Sequence, residues 1–285
     1  MPIVKKVKHS LLDKTVDLLL NPKIGKILKP FIGLIYSFYE HYLLKQITSK
    51  PMPRHVAIIP DGNRRWAKEH GLDPNDGHEQ GYRKMKDVLN WLYELGINIV
   101  TVYAMSYENC LRRSGEERKN LFNLIRRGLM ELDREKILDR YKVKFKVFGK
   151  LDLADRETID IAKKLEEKTS QYNERFLNVA ICYGGRQEIL DAIRFIAKEF
   201  AKGRINDDEI TEETILKYLS TGHLPFPEPD LVIRTSGELR ISNFLLWQIA
   251  YSELYFCDVY WPDFRKIDLY RAIRSYQNRE RRFGA

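Results

Sequence analysis

The sequence predicts an α/β fold: a mostly parallel six-stranded sheet flanked by helices, preceded by a basic helical extension at the N-terminus. Three observations lead there. Beyond residue 53, strand-like and helix-like segments alternate about six times, the pattern of βαβ units rather than of hairpins. The first strand-like run, residues 56–59, is short, mostly β-branched and uncharged, as suits a strand covered on both faces. Pro51 and Pro53 then separate this region from an earlier one whose apolar residues recur at helical spacing. The expected division is a helical extension at 1–53 and a main domain at 54–285.

The extension comes first. Leu11, Leu12, Val16, Leu19 and Leu20 recur at helical spacing, and after Pro30 so do Phe31, Ile32, Leu34, Ile35, Phe38, Tyr39, Tyr42 and Leu43. Residues 1–50 hold nine lysines against Asp13, Asp17 and Glu40, a net of +6 out of +9 for the chain. Basic amphipathic helices lie on anionic membrane surfaces, or pack on the body or on a second subunit. Both readings stay open. The remaining +3 is too little for a general nucleic-acid surface.

In the main domain, 80–95 reads as an amphipathic helix ended by Gly96, and 97–104 as a strand. A long helix at 116–138 carries Leu121, Phe122, Leu124, Ile125, Leu129 and Leu132 on its apolar side. Residues 143–148 alternate Val143, Phe145 and Val147 with Lys144 and Lys146, a strand. A helix at 153–172, a strand at 177–183 and a helix at 187–201 follow, with Gly184 and Gly185 before the last. The chain closes with a strand at 230–234, a short helix at 244–251, a strand at 254–259 and a helix at 266–282.

Composition bounds the rest. With 285 residues, 44% hydrophobic and 31% charged, the chain reads as a soluble globular protein. Cys110, Cys182 and Cys257 are scattered and odd in number, with no CxxC pair. This argues against a disulfide framework or a zinc site and suits a reducing cytosol. No signal peptide and no bilayer-crossing run is visible.

Chemistry concentrates in two stretches. In residues 55–66 the apolar strand ends in Pro60, Asp61, Gly62 and Asn63 and passes into Arg64, Arg65 and Trp66. Gly62 and Asn63 tolerate a tight turn, and a helix starting there points free N–H groups outward. With two arginines this makes an anion site. Asp61 inside a cationic setting suits a divalent cation such as Mg²⁺ bridging a carboxylate and a diphosphate. Alternatively, Asp61 or Asn63 merely caps the helix. In residues 230–256, Arg234 closes a strand and Arg240 and Ser242 follow a Gly-containing loop. Two guanidinium groups and a hydroxyl can grip a diphosphate, and Glu253 can supply a second metal carboxylate. A salt bridge from Arg234 to Asp230 or Glu238 is the plainer alternative. Asp61, Ser106 and Arg234 all follow strands, so one crevice beyond the carboxyl ends could collect them.

These residues resemble the cis-prenyltransferases, the undecaprenyl and dehydrodolichyl diphosphate synthases, over roughly residues 54–285. The pieces that match are 55–67, Gly77 with His78 and Gly81, the run from Tyr103 to Asn109, Tyr183-Gly-Gly-Arg186, and 230–264, with Arg-Arg-Phe-Gly at 281–284. The resemblance implies the cis-prenyltransferase fold, a homodimer, Mg²⁺, and a hydrophobic tunnel for the growing chain. It implies that isopentenyl diphosphate is added to an allylic prenyl diphosphate, farnesyl or geranylgeranyl. The product would be a long polycis-polyprenyl diphosphate, a precursor of a glycosyl carrier lipid made in the cytoplasm at the inner face of the membrane.

Carried over by residue, Asp61 would be the Mg²⁺-linked catalytic carboxylate and Glu253 would complete the metal site. Gly62, Asn63, Arg64, Arg65 and Trp66 would bind the allylic diphosphate, with His78 beside it. Ser106, Tyr107, Glu108, catalytic Asn109 and Arg112 belong to the loop after the second strand. Arg234, Arg240, Ile241 and Ser242 would bind isopentenyl diphosphate. Cys110, Pro74 and Leu239 depart from the bacterial pattern, where Trp, Arg and His stand. Apart from these, the alternation of Phe145 with Lys144 and Lys146 puts it on the apolar face of its strand, where it is expected to limit chain length at the floor of such a tunnel.

Overall fold

The computed structural model describes residues 25–113 and 115–278, with side chains from residue 33. Helix α1 (Gly25–Thr48) opens the described chain. β1 (His55–Ile59) follows, then α2 (Asn63–Glu69), α3 (Pro74–Glu94), β2 (Ile99–Tyr103), α4 (Tyr107–Arg112), α5 (Gly115–Arg134), α6 (Ile137–Arg140) and β3 (Val143–Phe148). Next come α7 (Arg156–Lys168), β4 (Arg175–Ala180), α8 (Gly185–Ala201), α9 (Glu212–Tyr218), β5 (Leu231–Arg234), β6 (Glu253–Phe256) and α10 (Lys266–Gln277).

The chain divides into two compact units, one of residues 1–52 with 265–285 and one of residues 53–264. The last helix, expected with the main domain, therefore groups with the N-terminal one. In that unit Tyr39, Leu43 and Ile47 of α1 are buried at helical spacing. Arg271 of α10 donates Nε to the Tyr39 hydroxyl at 3.2 Å, and Gln277 caps the Ile47 carbonyl at 2.9 Å. Opposite that stripe, Leu34 and Phe38 are 72% and 75% exposed.

The larger unit is built on six parallel strands in the order β3-β4-β2-β1-β5-β6. β1 and β2 are buried at every position, which explains their charge-free sequences. Strand order reverses at β1, whose neighbours are β2 and β5, so a crevice opens beyond the carboxyl ends there. One face of the sheet presents Ala57, Ile59, Tyr103, Ala180 and Val232 to Phe244, Leu245 and Ile249.

Several boundaries differ from the periodicity, for local reasons. α3 begins at Pro74 because Asp73 accepts from Asn75 N and forms a reciprocal box with Asp76. The long helix stops at Arg134, and Lys136, left-handed at φ 51, separates α5 from α6. α7 and β4 are shorter than expected, and α4 and α9 had no expected counterpart. The helix expected at 244–251 is a chain of turns, since Ser242, Asn243 and Leu245 all have positive φ. The expectation against a disulfide fails: Cys110 and Cys182, both buried, form one across 72 residues of sequence. No helix among the described residues is long and apolar enough to cross a membrane. The apolar residues of 11–20, Phe31 and Ile32, and the motif at 281–284 lie outside the described side chains.

Candidate active site

A cavity of about 1030 Å³ lies at the carboxyl ends of β1, β2 and β5. It begins where β1 ends. Asp61 N donates to the Ile59 carbonyl at 2.9 Å, and Thr235 Oγ1 holds the Asp61 carbonyl at 2.6 Å. Gly62 is left-handed at φ 102, and a Cβ there would come within 2.7 Å of the Tyr260 ring, so only glycine fits. The turn delivers Asn63, Arg64 and Arg65 into α2, a helix of 7 residues.

Arg234 ends β5 beside it, and its side chain is 5% exposed. Its Nη2 donates to Asp61 Oδ2 at 2.7 Å, and its Nη1 to Ser242 Oγ at 2.7 Å and to the Arg240 carbonyl. The salt bridge expected as its alternative goes to Asp61 instead of Asp230 or Glu238. Asp61 Oδ1 accepts from Gly62 N at 2.7 Å and from Arg65 at 3.5 Å. Arg65 also bonds Ser236 and Glu238, at 2.6 and 2.9 Å, and Glu238 pairs in turn with Arg240. On the opposite wall Glu117 pairs with Arg64 at 3.6 Å and Arg113 at 2.6 Å. Burial, with Arg113 and Arg64 nearby, pushes His78 down to about 4, so the ring is neutral near pH 7.

The third wall is α4. Ser106 caps it by accepting from Asn109 N at 3.1 Å, and bridges in parallel to Tyr183. The disulfide ties Cys110, the residue after Asn109, to Cys182 just past β4. Three cavity-lining side chains hold buried polar atoms without a hydrogen-bond partner in the protein: Asn63 Oδ1, His78 Nε2 and Arg234 Nε. Asn63 Oδ1 among them faces Gly81 of α3, where an added Cβ would lie 2.3 Å from it.

Of the expected residues, Asp61, Gly62, Asn63, Arg64, Arg65, His78, Ser106, Glu108, Asn109, Arg234, Arg240, Ile241 and Ser242 line this cavity. Trp66 does not and stacks on His70, 4.3 Å between ring centroids. Tyr107 lies outside the lining, its N–H donating to the Tyr183 carbonyl at 2.7 Å. Arg112 is exposed, and its neighbour Arg113 enters the cavity instead. Glu253 lies apart from the cavity in this chain. It opens β6 opposite Leu231, three residues along the ladder from the Arg234 end, about 10 Å at strand rise. Within this chain it does not meet Asp61, and no cluster of three or more metal-ligating side chains exists among the described residues.

Asp61, its side chain 30% exposed, offers one carboxylate among guanidinium groups. That sparse set fits Mg²⁺, which keeps waters and takes its other ligands from a diphosphate. Sequence reasoning passed over Arg113, Glu238, Asn243 and Tyr103 in the lining. The reversed φ values around Asn243 have no sequence signal, whereas Arg113 stood one position from an expected arginine.

Comparisons with known proteins show the family. Residues 59–284 match a family model described as putative undecaprenyl diphosphate synthase. A tritrans,polycis-undecaprenyl-diphosphate synthase (geranylgeranyl-diphosphate specific) from Sulfurisphaera tokodaii is 51% identical over 263 residues, covering 92% of this chain and 98% of its own. One of the same description from Methanopyrus kandleri is 52% identical over 250 residues, covering 88% and 91%. Lavandulyl diphosphate synthase from Lavandula x intermedia, solved with dimethylallyl diphosphate, superposes with a TM-score of 0.79 at 34% identity, over 84% of this chain and 100% of that one. A probable undecaprenyl diphosphate synthase from Campylobacter jejuni gives 0.66 at 30% identity, over 82% and 100%.

Proposed function

Since this chain belongs to the undecaprenyl diphosphate synthase family of prenyltransferases and elongates prenyl chains in cis, we propose that it adds isopentenyl units to geranylgeranyl diphosphate. The product is a long polycis-polyprenyl diphosphate that feeds a glycosyl carrier lipid. The primer follows from the description printed for the archaeal relatives. The observation that carries the reading is Arg234, a buried guanidinium joined to Asp61 on one side and Ser242 on the other.

In this reading Asn63, Arg64, Arg65 and His78 hold the allylic diphosphate, and Arg234, Arg240 and Ser242 hold isopentenyl diphosphate. Asp61 would hold Mg²⁺, which would supply neutralisation of charge on the leaving diphosphate. The guanidinium groups stabilise the charge that builds on the departing diphosphate. The isopentenyl double bond attacks the freed allylic carbon, and a proton leaves to form the new cis double bond. Asn109 is neutral and a poor base, so it orients the reacting group while the departing diphosphate takes the proton. Phe145, buried in β3, limits chain length. Two copies associate through the exposed apolar stripe of Leu190, Ile193 and Phe200 on α8, and the face of α1 touches the membrane.

The test incubates purified protein with labelled isopentenyl diphosphate, Mg²⁺ and either geranylgeranyl or farnesyl diphosphate, and reads product mass. A ladder built on the geranylgeranyl primer supports the reading. Absence of product with both primers would mark a non-catalytic binding subunit.

A further inference from the structure

Asn243 sits where three segments of the cavity wall meet. Its backbone is left-handed at φ 62, as is that of Ser242 before it at φ 50, a region Asn tolerates better than most residues. Each of its acceptors and its amide donor has a partner in another segment. Its carbonyl accepts from Gly185 N at 2.7 Å and its Oδ1 from Arg186 N at 2.9 Å. Its Nδ2 donates to Glu108 Oε1 at 2.9 Å and Gln187 Oε1 at 3.3 Å. One side chain therefore ties the segment after β5 to the first turn of α8 and to α4.

The surroundings are shaped to admit it. A Cβ on Gly184 would stand 2.7 Å from Asn243 Nδ2, and one on Gly185 would stand 2.7 Å from Leu246 Cγ. The consecutive glycines of Tyr183-Gly-Gly-Arg186 thus let this segment approach. Ser242, fixed by the same turn, accepts from Arg234 at 2.7 Å, while the Tyr103 hydroxyl donates to its carbonyl at 3.2 Å. Glu108 immediately precedes Asn109, and both line the cavity with Ser242 and Asn243.

We propose that Asn243 is a positioning residue for isopentenyl diphosphate. It holds Ser242, and through it the Arg234 guanidinium, in fixed relation to Glu108 and Asn109 across the cavity. It touches no reacting atom and acts through Ser242 and Glu108. The amide is required because its NH₂ faces two acceptors while its oxygen faces an N–H. An aspartate would keep the bond from Arg186 N and set a carboxylate against Glu108. The inference rests on the elongation reading above.

The experiment compares steady-state kinetics of the full chain as wild type, Asn243→Asp, Asn243→Gly and the double variant Asn243→Asp with Glu108→Gln. Asn243→Asp is expected to raise KM for isopentenyl diphosphate about tenfold or more, with KM for the allylic diphosphate within about threefold and the circular dichroism unchanged. Adding Glu108→Gln restores a donor facing the new carboxylate and recovers part of that loss. Asn243→Gly keeps the left-handed backbone without the side chain and shows the same selective rise, so it serves where the aspartate variant fails to fold. Unchanged KM values, equal rises for both substrates, or a double variant no better than the single one would overturn the inference. An inactive wild type would instead sink the elongation reading.

Discussion

Arg234 reaches from the end of β5 to the end of β1 and donates to Asp61 Oδ2 at 2.7 Å. A buried guanidinium needs an anion, and this chain supplies a partly exposed one at the mouth of a cavity. The pair links sheet register to chemistry, because Ile59 lies beside Arg234 in the ladder and Asp61 follows two residues on.

Replacing Asp61 is therefore expected to damage turnover and stability together. Asp61→Asn keeps the shape, loses the charge, and lowers the rate of isopentenyl incorporation about 10²–10³-fold. Asp61→Ala also leaves Arg234 without its carboxylate, at about 1–3 kcal/mol in a urea melt. An Asp61→Asn enzyme within about threefold of wild type would remove this carboxylate from the mechanism.

Acid should weaken the fold before carboxylates titrate. Complete burial pushes His55 down to about 4, and burial beside Arg113 and Arg64 does the same to His78. In the unfolded chain both protonate near pH 6.5. The folded pKa values are lowered, so stability is complete above pH 6.5 and falls as pH drops towards 4. For His55 the loss is about 3 kcal/mol over that window. His78→Gln should flatten the profile of unfolding free energy against pH between 6.5 and 4. A slope identical to wild type would contradict the account of His78.

How far the sequence could be read follows from where its signals are local. β1 and β2 were legible because doubly covered strands must be free of charge, β5 because its apolar run ends in a single arginine, and the residues at their carboxyl ends converge as the parallel order requires. The turns at 244–251 were read as a helix because Phe244, Leu245 and Ile249 are apolar at helical spacing. Their conformation is set from outside, by the Tyr103 hydroxyl on the Ser242 carbonyl and Gly185 N on the Asn243 carbonyl. Glu253, expected to complete the metal site, opens β6 at the amino end of a parallel strand, so within this chain it lies apart from Asp61. Cys110 and Cys182 carry no spacing motif, so only the fold reveals the pair.

That pair should matter to the site as well as to stability. It closes a loop across 72 residues and anchors α4 one residue after Asn109. Denaturing alkylation of the oxidised protein should modify one cysteine, and three after reduction. Cys110→Ala with Cys182→Ala should cost about 2–4 kcal/mol by unfolded-state entropy. A double variant with wild-type unfolding free energy would mean the link contributes nothing.

Gly81 links a helix contact to the cavity. A Cβ there would lie 2.3 Å from Asn63 Oδ1, and Trp261 Nε1 donates to the Gly81 carbonyl at 2.7 Å. Backbone of α3 is thereby held from both sides, so the strain of an added methyl falls on Asn63. Gly81→Ala is expected to cost about 1–3 kcal/mol and to raise KM for the allylic diphosphate more than for isopentenyl diphosphate. Equal KM values in the variant and wild type would show that Asn63 yields without consequence.

The exposed face of α1 yields the last prediction. Leu34 and Phe38 stand 72% and 75% exposed, four residues apart, in a region with six net positive charges. An anionic bilayer suits both properties: the headgroups meet the lysines and the acyl boundary receives the rings and methyls. The proposed product, with a long polyprenyl tail, also leaves more readily into lipid than into water. Sedimentation with vesicles of phosphatidylserine and phosphatidylcholine should retain the full chain at low salt, and less of it as salt rises. Leu34→Ser with Phe38→Ser should lower that retention at every salt concentration while leaving activity on a short, detergent-dispersed primer unchanged. Retention equal to wild type would assign these side chains no part in membrane contact.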